Sequence, residues 1–220
     1  ETERAAREAD IAARAAMLAA GEPFTALESR VSGLETLERE RVGMAPAAAR
    51  LLQDRERFGV GAVLGPLSDF ISTDPDAAVL VERFMGASVH AVLVKDATAA
   101  DAVREWHRRT NPGPLLLLPL DAVASTDAPA ADALSVRVEA APAARAWIQA
   151  MLGRVRAMGD GAAFVDARGA VWLPGETVGA GPLRRRAELF GLKTELSAAA
   201  AARDATNAAA TAAREVLVTA

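Results

Sequence analysis

The sequence has no cysteine, no tyrosine, only two histidines and an aromatic content of 4%. The absence of cysteine excludes disulfides, Cys-ligated zinc and iron–sulfur clusters, and two histidines leave little for a histidine metal site. No apolar run reaches the roughly 18 residues that a membrane helix needs. The only two lysines, Lys95 and Lys193, stand outside any G-x-x-x-x-G-K-[ST] motif, so we expect no ATP hydrolysis by this segment.

The chain nevertheless has the composition of a folded protein. Of its 220 residues, 51% are hydrophobic and 25% are charged, which is enough for one large domain or two small ones. About a quarter of the residues are alanine, which favours helix. The net charge of −4 is that of a soluble protein and not of a wholly basic nucleic-acid binder. Because the sequence opens at Glu1 in mid-helix pattern, we expect a segment of a longer protein without a signal peptide.

Both ends of the chain carry helical patterns. At the N-terminus, Ile11, Ala15 and Leu18 have coiled-coil spacing, and Gly21-Glu22-Pro23 predicts a break before a second helix. The apolar stripe of that second helix comprises Leu27, Val31, Leu34 and Leu37. The last helix starts near Leu183, and its 4-3 stripe consists of Leu192, Leu196, Ala199, Ala210, Ala213 and Leu217, interrupted by Arg203 and Thr206. We expect the first and last helices to pair antiparallel around a domain between them.

The middle of the chain has an alternating α/β pattern. Helices are predicted from Pro46 to about Phe58 and over residues 76–85, 98–109 and 142–158. Strands are predicted over residues 88–94, 114–120, 134–138, 163–165 and 170–173. Residues 122–133 are small and polar and form a candidate linker. The segment 88–120 therefore predicts a strand–helix–strand unit with parallel strands.

Several segments, in this order, carry a family resemblance. They are the glycine-rich residues 58–69, the helix and strand of residues 77–96, Leu116-Leu117-Leu118-Pro119-Leu120-Asp121, Leu152-Gly153-Arg154-Val155, Phe164-Val165-Asp166 with Gly169, and residues 174–181. On these the sequence resembles the hinge domain of SMC (structural maintenance of chromosomes) proteins, over about residues 27–196. The resemblance implies a mixed α+β (α/β) fold of two small subdomains flanked by antiparallel coiled-coil helices. It assigns residues 1–45 and 183–220 to arm stubs, 46–121 to subdomain I, 122–133 to the linker and 134–182 to a trimmed subdomain II.

The resemblance also implies the biological role. A hinge dimerises and joins two long coiled-coil arms in a protein of chromosome condensation and segregation. ATP, Mg²⁺, the kleisin and accessory subunits would bind ATPase heads outside this sequence, so we expect no enzyme activity and no cofactor here. The high Arg to Lys ratio and alanine content suggest a bacterial source, for which we expect a homodimer at the cytoplasmic nucleoid and no membrane partner.

Glycines after the last predicted strand are the candidate dimer interface. Gly175, Gly179 and Gly181 would let a neighbouring backbone approach closely, and the resemblance places them at or beside the subunit contact. Val178 lies among them, and Gly86 is a further candidate at a strand entrance. The alternative is an ordinary turn before a helix.

Basic residues follow these glycines and form a candidate DNA contact. Residues 150–193 contain seven basic and four acidic side chains, a net +3, so the remainder of the chain carries −7. The candidates are Arg154, Arg156, Arg184, Arg185, Arg186 and Lys193. The helix start after Pro182 would add backbone N–H donors for phosphate. The alternative is a solvated helix face whose arginines pair with glutamates; the cluster of Arg104, His107, Arg108 and Arg109 beside Trp106 is expected to be such a face.

Two other classes of function stay open at this point. A small α/β enzyme or nucleotide-binding domain with helical extensions would need a convergent polar pocket. Its candidate motifs are weak: Gly59-x-Gly61-x-x-x-Gly65 lacks the strand and helix of a dinucleotide site, Gly86-Ala87-Ser88-Val89-His90 lacks the second glycine of a nucleophile elbow, and Asp160, Asp166 and Glu176 are typical turn acids. The other class is a coiled-coil scaffold without DNA contact.

Overall fold

The computed structural model describes residues 2–123, 128–175 and 180–220. The chain divides into two compact units. The helical unit comprises the residues up to Glu40 together with Glu188–Ala220, and the globular unit comprises Arg41–Ala187. None of the helices in the described ranges combines the length and apolar character that a bilayer span requires.

Two helices of 38 residues each build the helical unit, α1 (Thr2–Arg39) and the greater part of α6 (Pro182–Thr219). Lys193 Nζ lies 2.6 Å from Glu35 Oε1, and the Arg203 guanidinium lies 4.1 Å from the centre of the Phe24 ring. Residue numbers fall along α1 and rise along α6 between these two contacts, so the helices are antiparallel. The predicted pairing of the first and last helices is thereby confirmed.

The N-terminal helix differs from its prediction in two ways. It is continuous through Gly21-Glu22-Pro23, where a break was predicted. Proline removes the N–H that would bond to the carbonyl of Ala19, but Ala19 is exposed, so water can satisfy that carbonyl. The predicted seam through Ile11 and Leu18 is also wrong, since these side chains are 67% and 68% exposed. The buried positions are Ala6 and Asp10 instead, because packing against α6 selects a stripe shifted by one residue.

The globular unit alternates short helices and strands. Its helices are α2 (Pro46–Gln53), α3 (Pro75–Met85), α4 (Ala97–Thr110) and α5 (Pro142–Leu152), followed by the start of α6. Its strands are β1 (Val63–Pro66), β2 (Ile71–Thr73), β3 (Val92–Val94), β4 (Leu117–Pro119), β5 (Val138–Ala140), β6 (Val155–Met158), β7 (Ala163–Asp166) and β8 (Val171–Trp172). Short 3₁₀ helices cover Arg55–Phe58, Leu67–Phe70, Gly86–His90 and Leu134–Arg137.

The described strands form three small sheets. In the first, of order β1-β3-β4, β3 pairs antiparallel with β1 and parallel with β4, which confirms the predicted parallel strand–helix–strand unit. The second pairs β2 with β5, and the third has the order β6-β7-β8 with antiparallel neighbours. Asp74 and Asp96 begin α3 and α4 by accepting hydrogen bonds from Ala77 N and Ala99 N, each at 2.8 Å.

Two groups of apolar side chains pack on opposite faces of the first sheet. Leu93 of β3 joins the larger group, whereas its neighbours Val92 and Val94 join the smaller one with Trp106 of α4. The larger group combines Leu67 and Val81 from predicted subdomain I with Ile148, Phe164 and Leu183 from the second half of the chain. The two predicted subdomains therefore contribute to one hydrophobic core.

Three predicted elements have different conformations in the structure. Residues 88–90 form 3₁₀ helix and not strand, because Gly86 at φ +51° ends α3 and Ala91 N bonds back to Ser88 O. The segment 134–137 is 3₁₀ helix that leads into β5. Helix α5 ends at Leu152, and residues 155–158 pair with β7, because a strand partner outweighs local helix propensity there.

Candidate dimer interface and basic surface

The edge strand β8 presents a run of exposed apolar side chains. Val171, Trp172 and Leu173 are 60%, 55% and 73% exposed, and β7 is the only neighbour of β8 among the described strands. The Trp172 ring stands edge-on to Phe84 at 6.5 Å, so one end of the indole rests on the core while the other faces solvent. Sequence reasoning predicted this strand but did not select these residues. The signal was available, since Val-Trp-Leu before Pro-Gly is an unusual run in a chain with so few aromatics.

The predicted interface glycines have different surroundings. Gly86 and Gly175 are exposed, and a Cβ atom added at either position would meet nothing within 4 Å. Gly86 has φ +51°, a backbone conformation that favours glycine by itself. Gly175 lies two residues after Leu173, the last of the exposed apolar side chains at β8. Val178 and Gly179 lie outside the described residues, and for all of them the interface role stays a prediction.

Gly181 has a specific internal reason to be glycine. Its backbone N–H donates to Glu82 Oε2 at 3.1 Å, and a Cβ at residue 181 would overlap the Glu82 carboxylate. Glu82 is buried on α3, with a relative exposure of 6%. The glycine therefore allows a backbone to approach a carboxylate of the same chain.

The same carboxylate caps the start of α6. Glu82 Oε1 accepts hydrogen bonds from Leu183 N at 2.6 Å and Arg184 N at 3.1 Å, and Arg184 Nε donates to Oε2 at 2.9 Å. A carboxylate at a helix N-terminus is stabilised by the N–H groups that have no intrahelical partner. The expectation that this helix start offers its N–H groups to a phosphate is wrong, because Glu82 already occupies the position of that anion.

The candidate DNA-contacting residues have partners within the chain. Arg186 bonds to Asp69 Oδ1 at 2.5 Å and to the Ser68 carbonyl, and Arg41 lies 3.2 Å from the same carboxylate. Arg185 Nη1 donates to Ala180 O at 3.1 Å. Lys193 pairs with Glu35, and Arg156 lies 3.5 Å from Asp132. Arg154 and Arg156 are exposed, whereas the side chains of Arg184 and Arg186 are only 27% and 35% exposed. The basic side chains of α6 are therefore engaged largely in ion pairs and hydrogen bonds within this chain.

The second basic cluster lies on α4 as predicted. Trp106 is buried and its Nε1 donates to Asp54 Oδ2 at 2.9 Å. Arg108 and Arg109 both pair with Glu105, whose pKa is lowered chiefly by the hydrogen bond from Arg108. The interpretation as a solvated helix face is confirmed for Arg104, Arg108 and Arg109, whereas His107 is half-buried with its Nε2 2.7 Å from Gly113 O.

The enzyme-like motifs have ordinary structural roles. Asp166 Oδ1 accepts from Arg168 N and Ala170 N in the β7–β8 turn, and the Arg168 side chain and these N–H groups lower the pKa of the Asp166 carboxyl. Asp160 bonds to Ala162 N in the preceding turn, and Glu176 lies outside the described residues. Gly59 and Gly61 take positive φ values in a loop that precedes β1, so no helix follows to hold a phosphate. Within the described residues, no three His, Asp or Glu side chains are grouped to hold a metal ion.

A cavity of about 520 Å³ lies beside β8 in the globular unit. Its walls include Phe84, Met151, Phe164 and Trp172, and Arg154 stands at its edge. Another pocket, of about 600 Å³, is lined mainly by alanine, proline and glycine and includes His90. His90 was expected on a strand but lies in the 3₁₀ helix, half-buried, and burial lowers its pKa. Ser88 also lines this second pocket, but within the described residues it forms no hydrogen bond with His90, so neither pocket holds an activated nucleophile.

The comparisons with known proteins agree with this architecture. Residues 60–159 match the profile of the family described as SMC proteins Flexible Hinge Domain. A search of curated proteins found no match to the chain. Among solved structures, an asymmetric dimer of the Geobacillus stearothermophilus SMC hinge domain has a TM-score of 0.78 at 20% identity, covering 99% of this chain and 98% of that one. The Pyrococcus furiosus Smc hinge domain with an extended coiled coil has a TM-score of 0.50 at 16% identity, covering 99% and 92%.

The family match and the fold have different extents. The profile covers most of the globular unit, from the loop before β1 to the turn after β6. The likeness to the Geobacillus structure extends over nearly the whole chain and therefore includes the flanking helices. The matched family is a hinge domain without catalytic function, in accord with the expectation that this segment is not an enzyme. Residues 60–159 thus match the SMC flexible hinge domain family, and the chain as a whole has the fold of an SMC hinge with its coiled-coil flanks.

Proposed function

We propose that this chain is a dimerisation hinge that pairs with a second copy of itself and joins two coiled-coil arms of a chromosome condensation and segregation protein. The exposed edge strand β8 carries the proposal. Pairing would remove Val171, Trp172 and Leu173 from water, and each large apolar side chain buried in full contributes about 1.5–3 kcal/mol. An unpaired strand edge also offers backbone N–H and C=O groups for pairing with another chain.

The surroundings of β8 fit a protein partner. Aromatic side chains such as Trp172 are typical anchors at the centre of interfaces, where one face packs on the protein's own core. Gly175 lies three residues further along the chain and leaves open space for an approaching backbone. The dimeric state named for the Geobacillus hinge supports self-association of a chain with the same fold.

The experiment is the solution mass as a function of concentration, by light scattering or sedimentation, for the wild-type chain and for Trp172→Ser. We expect the wild-type chain to be a dimer. The dimer of the variant should dissociate at concentrations at least about tenfold higher than the wild-type dimer, because an aromatic side chain is lost from the interface. Phe190→Ser is the matched control, because Phe190 is 78% exposed but lies on α6 outside the globular unit. A wild-type monomer at high micromolar concentration would contradict the proposal and favour a heterodimeric partner or the enzyme-like alternative.

DNA contact is the finer part of the proposal. Arg154 and Arg156 support it, because both are exposed and lie two residues apart, Arg154 immediately before β6 and Arg156 within it. They would contact phosphates without base specificity, at the cytoplasmic nucleoid. The half-buried pairs of Arg184 and Arg186 leave less charge for this role than the sequence suggests.

The test of DNA contact is fluorescence anisotropy with single- and double-stranded oligonucleotides across a salt series. We expect the affinity to fall steeply as the salt concentration rises. The double substitution Arg154→Glu with Arg156→Glu should reduce the slope of log affinity against log salt concentration by the amount that corresponds to about two phosphate contacts. Arg104→Glu with Arg108→Glu on α4 is the matched control. Dimerisation without salt-dependent binding would identify a coiled-coil scaffold that does not contact DNA.

A further inference from the structure

The seam between α1 and α6 repeats with unusual regularity. On α1 the buried and half-buried positions alternate in steps of four and three residues: Ala6, Asp10, Ala13, Met17, Ala20, Phe24, Leu27, Val31 and Leu34. On α6 the same alternation gives Leu192, Leu196, Ala199, Arg203, Thr206, Ala210, Ala213 and Leu217. A heptad seam built largely of alanine and aliphatic residues can slide by seven residues and still bury an apolar stripe. The repeat alone therefore does not specify one register.

One layer of the seam is chemically specific. The Arg203 guanidinium stacks on Phe24 at 4.1 Å from the ring centre, and its side chain is only 34% exposed. The neighbouring Asp204 carboxylate, 2.7 Å from Arg203 Nη2, compensates the charge from the solvent side. A cation over an aromatic face is attracted by the ring quadrupole, and the attraction grows as the site is shielded from water.

A shift by one heptad would remove this contact. Arg203 would then stand at the level of Met17 or Val31, seven residues from Phe24 on either side. Val31 is 6% exposed, and neither side chain offers a π face or an acceptor to the guanidinium. Thr206, the other polar seam residue of α6, bonds to Ala202 O and Arg203 O of its own helix, so it is indifferent to register.

The remaining contacts of the helical unit contribute little to the free-energy difference between one register and another. Arg30–Glu188 and Glu35–Lys193 are exposed ion pairs of small net stabilisation. At the far end, the buried Asp10 pairs through Oδ2 with Arg14 of its own helix at 2.8 Å, so this contact does not depend on the register. We propose that the Arg203–Phe24 contact selects the observed register of the α1–α6 pair against registers shifted by one heptad.

The absence of cysteine allows a direct test by cross-linking in the full chain. Gly21→Cys with Asn207→Cys reports the native register, because Gly21 and Asn207 line the same groove. Gly21→Cys with Arg214→Cys reports the register shifted by one heptad. Intramolecular cross-links made by a short bismaleimide are quantified by peptide mapping at low protein concentration. With Arg203 present, we expect the native pair to react and the shifted pair to react little.

Arg203→Leu is the decisive variant. We expect the ratio of shifted to native cross-link to rise at least about fivefold while the helix content stays constant. Phe24→Leu should change the ratio in the same direction, and Thr206→Leu, the matched control in the same seam, should leave it unchanged. An unchanged ratio in Arg203→Leu would overturn the proposal. Loss of both cross-links would also overturn it, because Arg203 would then stabilise the helix pair and not select its register.

Discussion

Glu82 accepts a hydrogen bond of 2.6 Å from the Leu183 backbone N–H, across 101 residues of sequence. This bond attaches the first turn of α6 to the middle of α3. The carboxylate also accepts hydrogen bonds from Gly181 N, Arg184 N and Arg184 Nε, which makes four donors in all. Glu82 belongs to predicted subdomain I, whereas all of its donors lie outside that subdomain. The start of the C-terminal helix is therefore set by a buried anion of the same chain.

Removing that anion should destabilise the chain strongly. Glu82→Ala leaves three backbone N–H groups and a partly buried guanidinium without their acceptor, and we expect a loss of at least about 2 kcal/mol in the free energy of unfolding. Urea denaturation followed by circular dichroism measures it. Glu188→Ala is the control, since Glu188 is an exposed acid of the same helix paired with Arg30, and its loss should cost under about 1 kcal/mol. Equal effects of the two substitutions would contradict the capping role.

Substitution by alanine should have different effects on stability at Gly175 and Gly181, the two described glycines of the 174–181 segment. Gly181→Ala forces the new Cβ against the Glu82 carboxylate, and we expect about 1–3 kcal/mol of destabilisation whether or not the chain dimerises. Gly175→Ala enters open space and should change stability by less than about 0.5 kcal/mol. The two melting curves, measured at a concentration where both variants have the same mass, decide the matter. A neutral Gly181→Ala would show that the cap shifts without cost.

Acid should destabilise the globular unit partly through His90. Burial, and secondarily the Arg185 charge, lower the pKa of His90 below its ordinary value of 6.5, while Glu82 acts in the opposite direction. In the window below pH 6.5 the unfolded chain binds the proton more readily than the folded chain, so stability falls as the pH falls through the folded pKa. Melting temperatures at pH 7.5 and 5.5 for the wild type and His90→Asn test this. The wild type should lose more stability on acidification, and equal losses would exclude His90 as a contributor.

Proline in the middle of α1 should be a point of local weakness. Pro23→Ala restores an N–H to the carbonyl of Ala19, and we expect a gain of about 1–3 kcal/mol in local helix stability. Hydrogen exchange of the amides from Ala20 to Ala26 measures the gain. Ala49→Pro on α2, where a regular bond from Ala49 N to Ala45 O exists, is the reverse control and should destabilise. Unchanged exchange in Pro23→Ala would mean that the packing of α6 alone determines the protection of this segment.

Local sequence features determined most of the secondary structure. Proline before Asp76 and at residue 182 marked the starts of α3 and α6, because the fixed φ of proline suits the first helical turn. The 4-3 stripe of α6, including its interruptions at Arg203 and Thr206, is visible in the sequence and is the stripe that packs. The parallel β3–α4–β4 unit also followed from its pattern, since a buried strand, an amphipathic helix and another buried strand admit few arrangements.

The tertiary structure decided what local pattern could not. On α1 the apolar Ile11 and Leu18 were the obvious seam, but the pairing with α6 buries Asp10 and alanines instead. The role of Glu82 was not visible in sequence, because nothing local indicates that a helical glutamate meets a helix start 101 residues later. The sequence predicts that Gly181 allows a close approach of its backbone to another group, and this is correct. In the structure that group is the Glu82 carboxylate of the same chain and not a second subunit. Propensity and periodicity act over a few residues, whereas the position of a buried charge depends on which distant donors the completed core brings to it.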